Sequence, residues 1–187
     1  MKDIKISDIK ILWDKDDIQK AVREIAIEIN DKFKQYESIN LIPILTGGIV
    51  FASHLLIELE NIKPGFCRMF PLIAKTYGNS IVSQGTKIYG YEFLSDSLEK
   101  NTPSIIVDDL MDTGETLLKV RDNVLGISND KIYTAVLVDK LGNRNNIFHP
   151  DFTCFVLDDD KWIVGYGMDY IGKFRGLEYV GTITKEL

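Results

Sequence analysis

The segment 104–118 limits the possible folds of this chain more than any other part of the sequence. Residues 105–107, Ile-Ile-Val, form the β-branched run that is typical of a buried strand. The run ends abruptly at two adjacent carboxylates, Asp108 and Asp109, and a polar loop then leads into the helix-like segment 117–120. This order of strand, acidic edge, loop and helix is typical of an open α/β sheet, in which ligands bind at the carboxyl ends of the strands.

The loop after the predicted strand has the chemistry of a phosphate site. Backbone N–H groups at the start of a helix can hold a phosphate, and the hydroxyls of Thr113 and Thr116 can add to them. Asp108 and Asp109 could accept hydrogen bonds from sugar hydroxyls or hold a divalent cation. A strand-to-helix turn capped by Asp112 would not need three carboxylates and two hydroxyls. The loop therefore favours a phosphorylated sugar as its ligand.

The same segment resembles the signature of the phosphoribosyltransferases, the enzymes that use phosphoribosyl pyrophosphate (PRPP). In that family a short hydrophobic strand precedes two acidic residues, two hydrophobic residues, Asp-Thr-Gly and a further Thr. Residues 105–116 match this pattern at every such position.

The rest of the chain predicts alternating strands and helices, and hence one α/β domain over residues 1–187 with a mainly parallel sheet flanked by helices. The first helix has apolar residues at helical spacing from Ile18 to Phe33, with Asp14 and Asp16 available as caps. A second helix is predicted over 49–59 and a third up to about 124. Strands are predicted at 40–45 (weakened by Pro43), 66–74, 105–107, 132–138, 152–157 and 162–166.

Four later segments narrow the resemblance to the hypoxanthine-guanine phosphoribosyltransferases. They occur in family order and are Val136–Lys140, Pro150–Phe152, Trp162–Tyr170 and Phe174–Leu177. The resemblance as a whole runs from about Ile39 to Ile183. The resemblance implies the type I phosphoribosyltransferase fold with a small hood that holds the base. It also implies Mg²⁺-dependent transfer of phosphoribose from PRPP to N9 of a 6-oxopurine, and a homo-oligomer, either a dimer or a tetramer.

The resemblance assigns a role to each matched residue around the purine. Lys140 would hydrogen-bond the 6-oxo group, Trp162 would stack on the base, and Ile163 would contact the base edge through its backbone. Asp169 matches a metal-linked carboxylate beside the purine site, and Arg175 matches a pyrophosphate-binding arginine.

The remaining assignments concern PRPP. Asp108 and Asp109 would orient the ribose hydroxyls and, with Asp169, hold Mg²⁺. Asp112 would also transfer a proton at N7 of the purine. The 5'-phosphate would lie in the loop formed by Asp112, Thr113, Gly114, Glu115 and Thr116.

Two further segments complete the implied PRPP site. Thr46 and Gly47 would bind the pyrophosphate, next to a non-proline cis bond that is usual in the family. The polar segment from Lys75 to Gly90, led by Thr76 and Tyr77, matches a mobile loop that would exclude water.

The chain departs from the family pattern at two positions. Many members have a lysine where this chain has Thr46, so any role of that lysine must be met differently. Glu115 replaces a basic residue found in some relatives, and an acid there would be unhelpful unless its side chain points outward.

The composition limits which partners the protein could bind and where in the cell it could act. The net charge of −6 argues against a broad nucleic-acid or anionic-membrane surface. The first residues lack the apolar core of a signal peptide, and no apolar run approaches the length of a membrane span. Cys67 and Cys154 have no metal-ligand spacing and are expected to be buried free thiols. We therefore expect a cytoplasmic protein. Two alternatives stay open, namely an RNA-binding regulator on the same fold and an enzyme that prefers xanthine.

Overall fold

The computed structural model describes residues 3–76, 86–98, 101–128, 131–142 and 147–184. Within them a seven-stranded sheet carries helices on both faces, and a smaller three-stranded sheet lies beside it. The elements are β1 Ile9–Trp13, α1 Lys15–Phe33, β2 Ile39–Leu45, α2 Ile49–Ile62, β3 Cys67–Met69, β4 Leu72–Thr76, β5 Thr86–Tyr89, α3 Tyr91–Ser97, β6 Ser104–Met111, α4 Glu115–Ser128, β7 Ile132–Lys140, β8 Phe152–Leu157, β9 Ile163–Val164 and β10 Val180–Ile183.

The large sheet has the strand order β5-β4-β2-β6-β7-β8, with β3 also pairing with β2. All of these pairings are parallel except β4 with β5. Alternate residues of the central strands join opposite cores, because successive side chains point to opposite faces. Leu41 and Ile105 pack in the core under α1 and α2, whereas Ile42 and Ile106 pack in the core under α3 and α4. The prediction of a mainly parallel sheet flanked by helices is confirmed.

Asp14 begins α1, as the sequence predicts. Its side chain accepts hydrogen bonds from the N–H groups of Asp16 and Asp17 at 2.9 and 3.0 Å, and Asp17 completes a capping box. Asp16 lies in the first turn and is not itself the cap. The apolar residues at helical spacing between Ile18 and Phe33 are all buried.

Pro43 lies inside the central strand β2, where a missing N–H would normally remove a ladder bond. The N–H of Ile39 donates to the carbonyl of Phe66 on the β3 side of β2. Because the backbone groups of successive strand residues point to alternate sides, the backbone of residue 43 faces that same side. Its neighbour there is the break between β3 and β4 at Phe70–Pro71. The same break divides the single strand predicted over 66–74 into two.

The small sheet forms the hood above the carboxyl ends of the large sheet, and most of it was not predicted. β1 pairs antiparallel with β10, from the other end of the chain, and β10 pairs with β9. The strand predicted over 162–166 is only two residues long. Gly165, Tyr166 and Gly167 have φ values of +98°, +48° and +109°, which are incompatible with an extended strand.

The predicted mobile loop from Lys75 to Gly90 is described only at its ends. Strand β4 reaches Thr76, and Thr86–Tyr89 returns antiparallel to it as β5. Tyr77 and the other residues up to 85 lie outside the described residues. Cys67 and Cys154 are free and partly buried, so the expectation of free thiols is confirmed.

Across the described ranges, no helix is both long enough and apolar enough to cross a membrane.

Candidate active site

A cavity of about 380 Å³ lies at the carboxyl ends of β2, β6 and β7, under the hood. This is the edge at which an open α/β sheet binds its ligands. Most of the residues predicted from the sequence lie together around it. Those that line it are Thr46, Gly47, Asp108, Asp109, Asp112, Thr113, Gly114, Thr116, Lys140, Trp162, Ile163, Asp169 and Arg175.

Asp108, which is buried, and Asp109, which is partly buried, place adjacent carboxylates where β6 reaches the cavity. Asp108 is only 8% exposed, and its Oδ1 accepts a hydrogen bond from the N–H of Asp109 at 3.0 Å. Burial raises the pKa of both carboxyls, and the neighbouring charge of Asp109 raises the pKa of Asp108 further. Keeping both carboxyls ionised is therefore unfavourable, and hydroxyl donors or a cation would stabilise the ionised pair.

Mg²⁺ suits this donor set, because it prefers one or two carboxylates together with substrate phosphates and water. Asp169 is different, since both of its carboxylate oxygens have partners. Oδ1 lies 2.5 Å from Nη2 of Arg175, and Oδ2 accepts from the N–H of Gly172 at 2.5 Å. No three His, Cys, Asp or Glu side chains form a metal-holding group within the part of the chain that is described. The residues fit a cation that takes most of its ligands from the substrate.

The phosphate loop lies between the end of β6 and the start of α4. Gly114 has a φ of +81°, a conformation that favours glycine, and Leu118 donates back to its carbonyl at 3.0 Å. Thr113 and Thr116 line the cavity at this helix start, and the Thr113 hydroxyl accepts a hydrogen bond from the N–H of Glu115 at 3.4 Å. Glu115 is exposed and does not line the cavity. Its carboxylate therefore meets the condition stated above for tolerating an acid in this loop.

Lys140 brings a buried cation to the cavity at the end of β7. It is only 4% exposed, and its Nζ donates to the carbonyl of Asp160 at 3.0 Å. The same Nζ lies 3.7 Å from Oδ1 of Asp112, the candidate for proton transfer. Burying a lysine is unfavourable unless its charge is compensated, so these contacts hold the ammonium at one place on the cavity wall.

Trp162 and Ile163 bound the cavity on the hood side. Trp162 is 49% exposed, and its indole Nε1 donates to the carbonyl of Asp169 at 2.8 Å. Its ring meets that of Tyr170 edge to face at 6.0 Å. Ile163 is buried in β9. These contacts hold the Trp162 ring at the cavity that Lys140 also lines.

The segments predicted to bind pyrophosphate meet at Gly47. The Leu45–Thr46 peptide bond is cis, as the resemblance implied. A Cβ at Gly47 would lie 2.5 Å from Cγ of Asp109, so only glycine fits there. Gly167 packs against the Gly47 carbonyl, and its own carbonyl accepts from Nη1 of Arg175 at 2.5 Å. Arg175 is therefore linked to Gly47 through Gly167.

His54 and Tyr166 are the residues of this region that sequence reasoning missed. Nδ1 of His54 contacts the Tyr166 hydroxyl, although the two are 112 positions apart. The sequence carries no spacing that signals this pair. Tyr166 falls inside a matched motif, but the motif gave it no role.

Comparison with known proteins agrees with this site. The sequence matches the family described as "Phosphoribosyl transferase domain" over residues 9–171. The fold, the loop after β6 and this match define the class of the protein as a phosphoribosyltransferase. A crystal structure of the hypoxanthine phosphoribosyltransferase of Trypanosoma cruzi superposes with a TM-score of 0.79 over 95% of this chain and 97% of that one. At 23% identity it shows the shared fold.

Sequence relatives narrow the class. The hypoxanthine-guanine phosphoribosyltransferase of Aquifex aeolicus is 30% identical over 91% of this chain and 92% of that protein. The hypoxanthine-guanine-xanthine phosphoribosyltransferase of Tritrichomonas foetus is 28% identical over 95% and 93%. The chain belongs to the hypoxanthine-guanine phosphoribosyltransferase family.

Proposed function

We propose that this protein transfers phosphoribose from PRPP to N9 of hypoxanthine or guanine, and so forms IMP or GMP and pyrophosphate in purine salvage. The observation that carries the proposal is the convergence of three different chemistries on one cavity. A helix start with two threonines can hold a phosphate, two adjacent carboxylates can accept hydrogen bonds from a sugar, and a buried lysine lines the same cavity as an exposed tryptophan. Each is commonplace alone, but together they match the three parts of the two substrates.

PRPP would bind along the carboxyl edge of the sheet. Its 5'-phosphate would accept hydrogen bonds from the N–H groups and hydroxyls of residues 113–116. Asp108 and Asp109 would accept from the ribose hydroxyls. The pyrophosphate would lie between Gly47 and Arg175, which are already in contact through Gly167.

Mg²⁺ would be held by Asp108 and Asp109, with the remaining ligands from PRPP and water, while the Asp169 carboxylate stays paired with Arg175 and Gly172. When bound, it neutralises charge on the departing pyrophosphate. The protein itself contributes carboxylates next to the ribose, where positive charge develops as the bond to pyrophosphate breaks.

The purine would lie against Trp162 with its 6-oxo group toward Lys140. Asp112 lies near the Lys140 ammonium and is 40% exposed, so it can reach a base in the cavity. It would exchange a proton at N7 while N9 attacks the ribose. General acid–base help of this kind is worth about 10²–10⁴-fold in rate.

The domain organisation, the cellular location and the oligomeric state are proposed from the sequence. We propose a single phosphoribosyltransferase domain over residues 1–187 that acts in the cytoplasm as a homo-oligomer, either a dimer or a tetramer. An RNA-binding regulator is disfavoured by the acidic balance of the chain.

A purine panel tests the proposal. The protein is incubated with PRPP and Mg²⁺, and with hypoxanthine, guanine, xanthine, adenine or no base, and the nucleotides are separated by chromatography. We expect IMP and GMP to form efficiently and AMP to form poorly. Efficient AMP formation would overturn the 6-oxopurine assignment, and XMP as the main product would make xanthine the preferred substrate.

A further inference from the structure

A histidine on α2 contacts the hood from outside the cavity. His54 lies on the helix that begins directly after Gly48, and its Nδ1 contacts the hydroxyl of Tyr166. On its other side, Nε2 lies 3.8 Å from Oε1 of Glu58, one helical turn further on. The side chains of His54 and Glu58 are only 18% and 22% exposed. Neither residue lines the cavity.

Tyr166 needs external support, because its backbone has a φ of +48° between two glycines that also have positive φ. L-residues with side chains rarely adopt this conformation. The turn is tied to the following segment by two backbone hydrogen bonds, from Tyr166 to Leu177 and from Gly167 to Arg175, both 2.9 Å long. The contact with His54 is the side-chain bond that joins this turn to α2.

The turn matters because it is one of two groups that hold the Arg175 guanidinium, the other being the Asp169 carboxylate. The Gly167 carbonyl accepts from Nη1 of Arg175 at 2.5 Å, and Gly167 packs directly against the Gly47 carbonyl. Among the described residues that line the cavity, Arg175 and Lys140 are the cations, and Thr46 carries no charge. The placement of Arg175 therefore determines much of the attraction for pyrophosphate.

The protonation states fit a directed hydrogen bond. Burial lowers the pKa of His54, so the imidazole is neutral at neutral pH. Burial raises the pKa of Tyr166 to about 12, so its hydroxyl keeps its proton. The hydroxyl can then donate to Nδ1, which leaves the Nε2 proton directed toward Glu58. A hydroxyl and an imidazole paired in this way are both satisfied without a charge.

We infer that His54 is a positioning residue for the pyrophosphate half of the site. It fixes the Tyr166 hydroxyl, which holds the turn 165–167, which in turn keeps Arg175 against Gly47. The inference rests on the proposed function, since it assigns Arg175 to the pyrophosphate of PRPP. A histidine that only fills space between α2 and the hood would affect stability without favouring one substrate over the other.

Three variants separate these possibilities. Tyr166→Phe removes one hydroxyl and keeps the ring, and His54→Leu removes the acceptor. His54→Asn restores an acceptor, because its side-chain oxygen can take the place of Nδ1. We expect Tyr166→Phe and His54→Leu each to raise the Kd for PRPP and for Mg²⁺-pyrophosphate by about 2- to 10-fold, the range for one net hydrogen bond. The double variant with Tyr166→Phe and His54→Leu should bind PRPP no more weakly than the weaker-binding of the two single variants.

The measurements are isothermal titration calorimetry of PRPP and of Mg²⁺-pyrophosphate, the KM of each substrate, and the Tm. The KM for PRPP should rise by more than the KM for hypoxanthine, and His54→Asn should recover part of the loss. The matched control is His149→Asn, which changes the exposed second histidine of the chain and should leave all values at wild type.

The outcomes that overturn the inference are specific. A lower Tm with unchanged Kd for PRPP would make His54 merely structural, and so would equal rises in the two KM values. If His54→Leu does not fold, Tyr166→Phe and His54→Asn still decide the question. A wild-type protein that neither binds PRPP nor forms nucleotide would defeat the proposed function instead. Normal wild-type activity with unaffected variants would defeat only the role of His54.

Discussion

Replacing Lys140 by alanine tests how the site recognises its purine. The Lys140 ammonium is 4% exposed and is held 3.0 Å from the Asp160 carbonyl, so it is a fixed donor and not a mobile surface charge. A hydrogen bond to a charged group contributes about 1.5–3 kcal/mol, and each 1.4 kcal/mol is about tenfold. We therefore expect kcat/KM for hypoxanthine to fall by about 10- to 100-fold in Lys140→Ala.

The effect should be confined to the purine. Initial rates at saturating PRPP give kcat/KM for hypoxanthine, and rates at saturating hypoxanthine give the KM for PRPP, which should change by less than about twofold. The matched control is Lys161→Ala, since that lysine is 58% exposed, pairs with Asp159 at 2.7 Å and does not line the cavity. Such exposed pairs contribute about 0–1 kcal/mol. Equal losses for the two substrates, or equal losses in the two variants, would refute a specific contact with the 6-oxo group.

Three further outcomes test the catalytic and acidic residues. Asp112→Asn should lower kcat by about 10²-fold and leave the Kd for PRPP near wild type, and near-normal turnover would remove Asp112 from proton transfer. Excess chelator should abolish nucleotide formation and added Mg²⁺ should restore it, whereas full activity in chelator would contradict metal assistance. Asp108→Asn should raise the Tm at pH 7 while impairing activity. The pKa of Asp108 is raised in the folded protein, so its stabilising contribution is present at low pH and is lost as the pH rises through that pKa. The Tm gain should therefore shrink as the pH is lowered toward about 4, and a gain independent of pH would contradict the raised pKa of Asp108.

The large sheet could be predicted because its signals are local. The β-branched run before Asp108 and the apolar spacing from Ile18 to Phe33 each determine an element within a few residues. Parallel strands then bring their carboxyl ends to one edge, so the acidic pair, the phosphate loop and Lys140 had to lie near one another. The resemblance to a family added Trp162 and the other hood residues, which no local pattern would have brought there.

The remainder depends on contacts between distant parts of the chain. β1 is only five residues long, and it is a strand because Ile9 pairs with Ile183 across almost the whole sequence. The shortness of β9 depends on the positive φ of Tyr166, a residue type that gives no warning of it. The contact of Tyr166 with His54 joins two elements that no periodicity relates. Tertiary packing, and not local preference, determines these features.

The most direct test of the account follows PRPP itself through the reaction. In ³¹P NMR of the protein with PRPP, Mg²⁺ and hypoxanthine, the two pyrophosphate signals of PRPP should be replaced by free pyrophosphate. The amount should equal that of the IMP formed, and omitting the base should leave PRPP largely intact. Unchanged PRPP in the presence of hypoxanthine, or release of pyrophosphate at the same rate without a base, would contradict phosphoribosyl transfer to a 6-oxopurine.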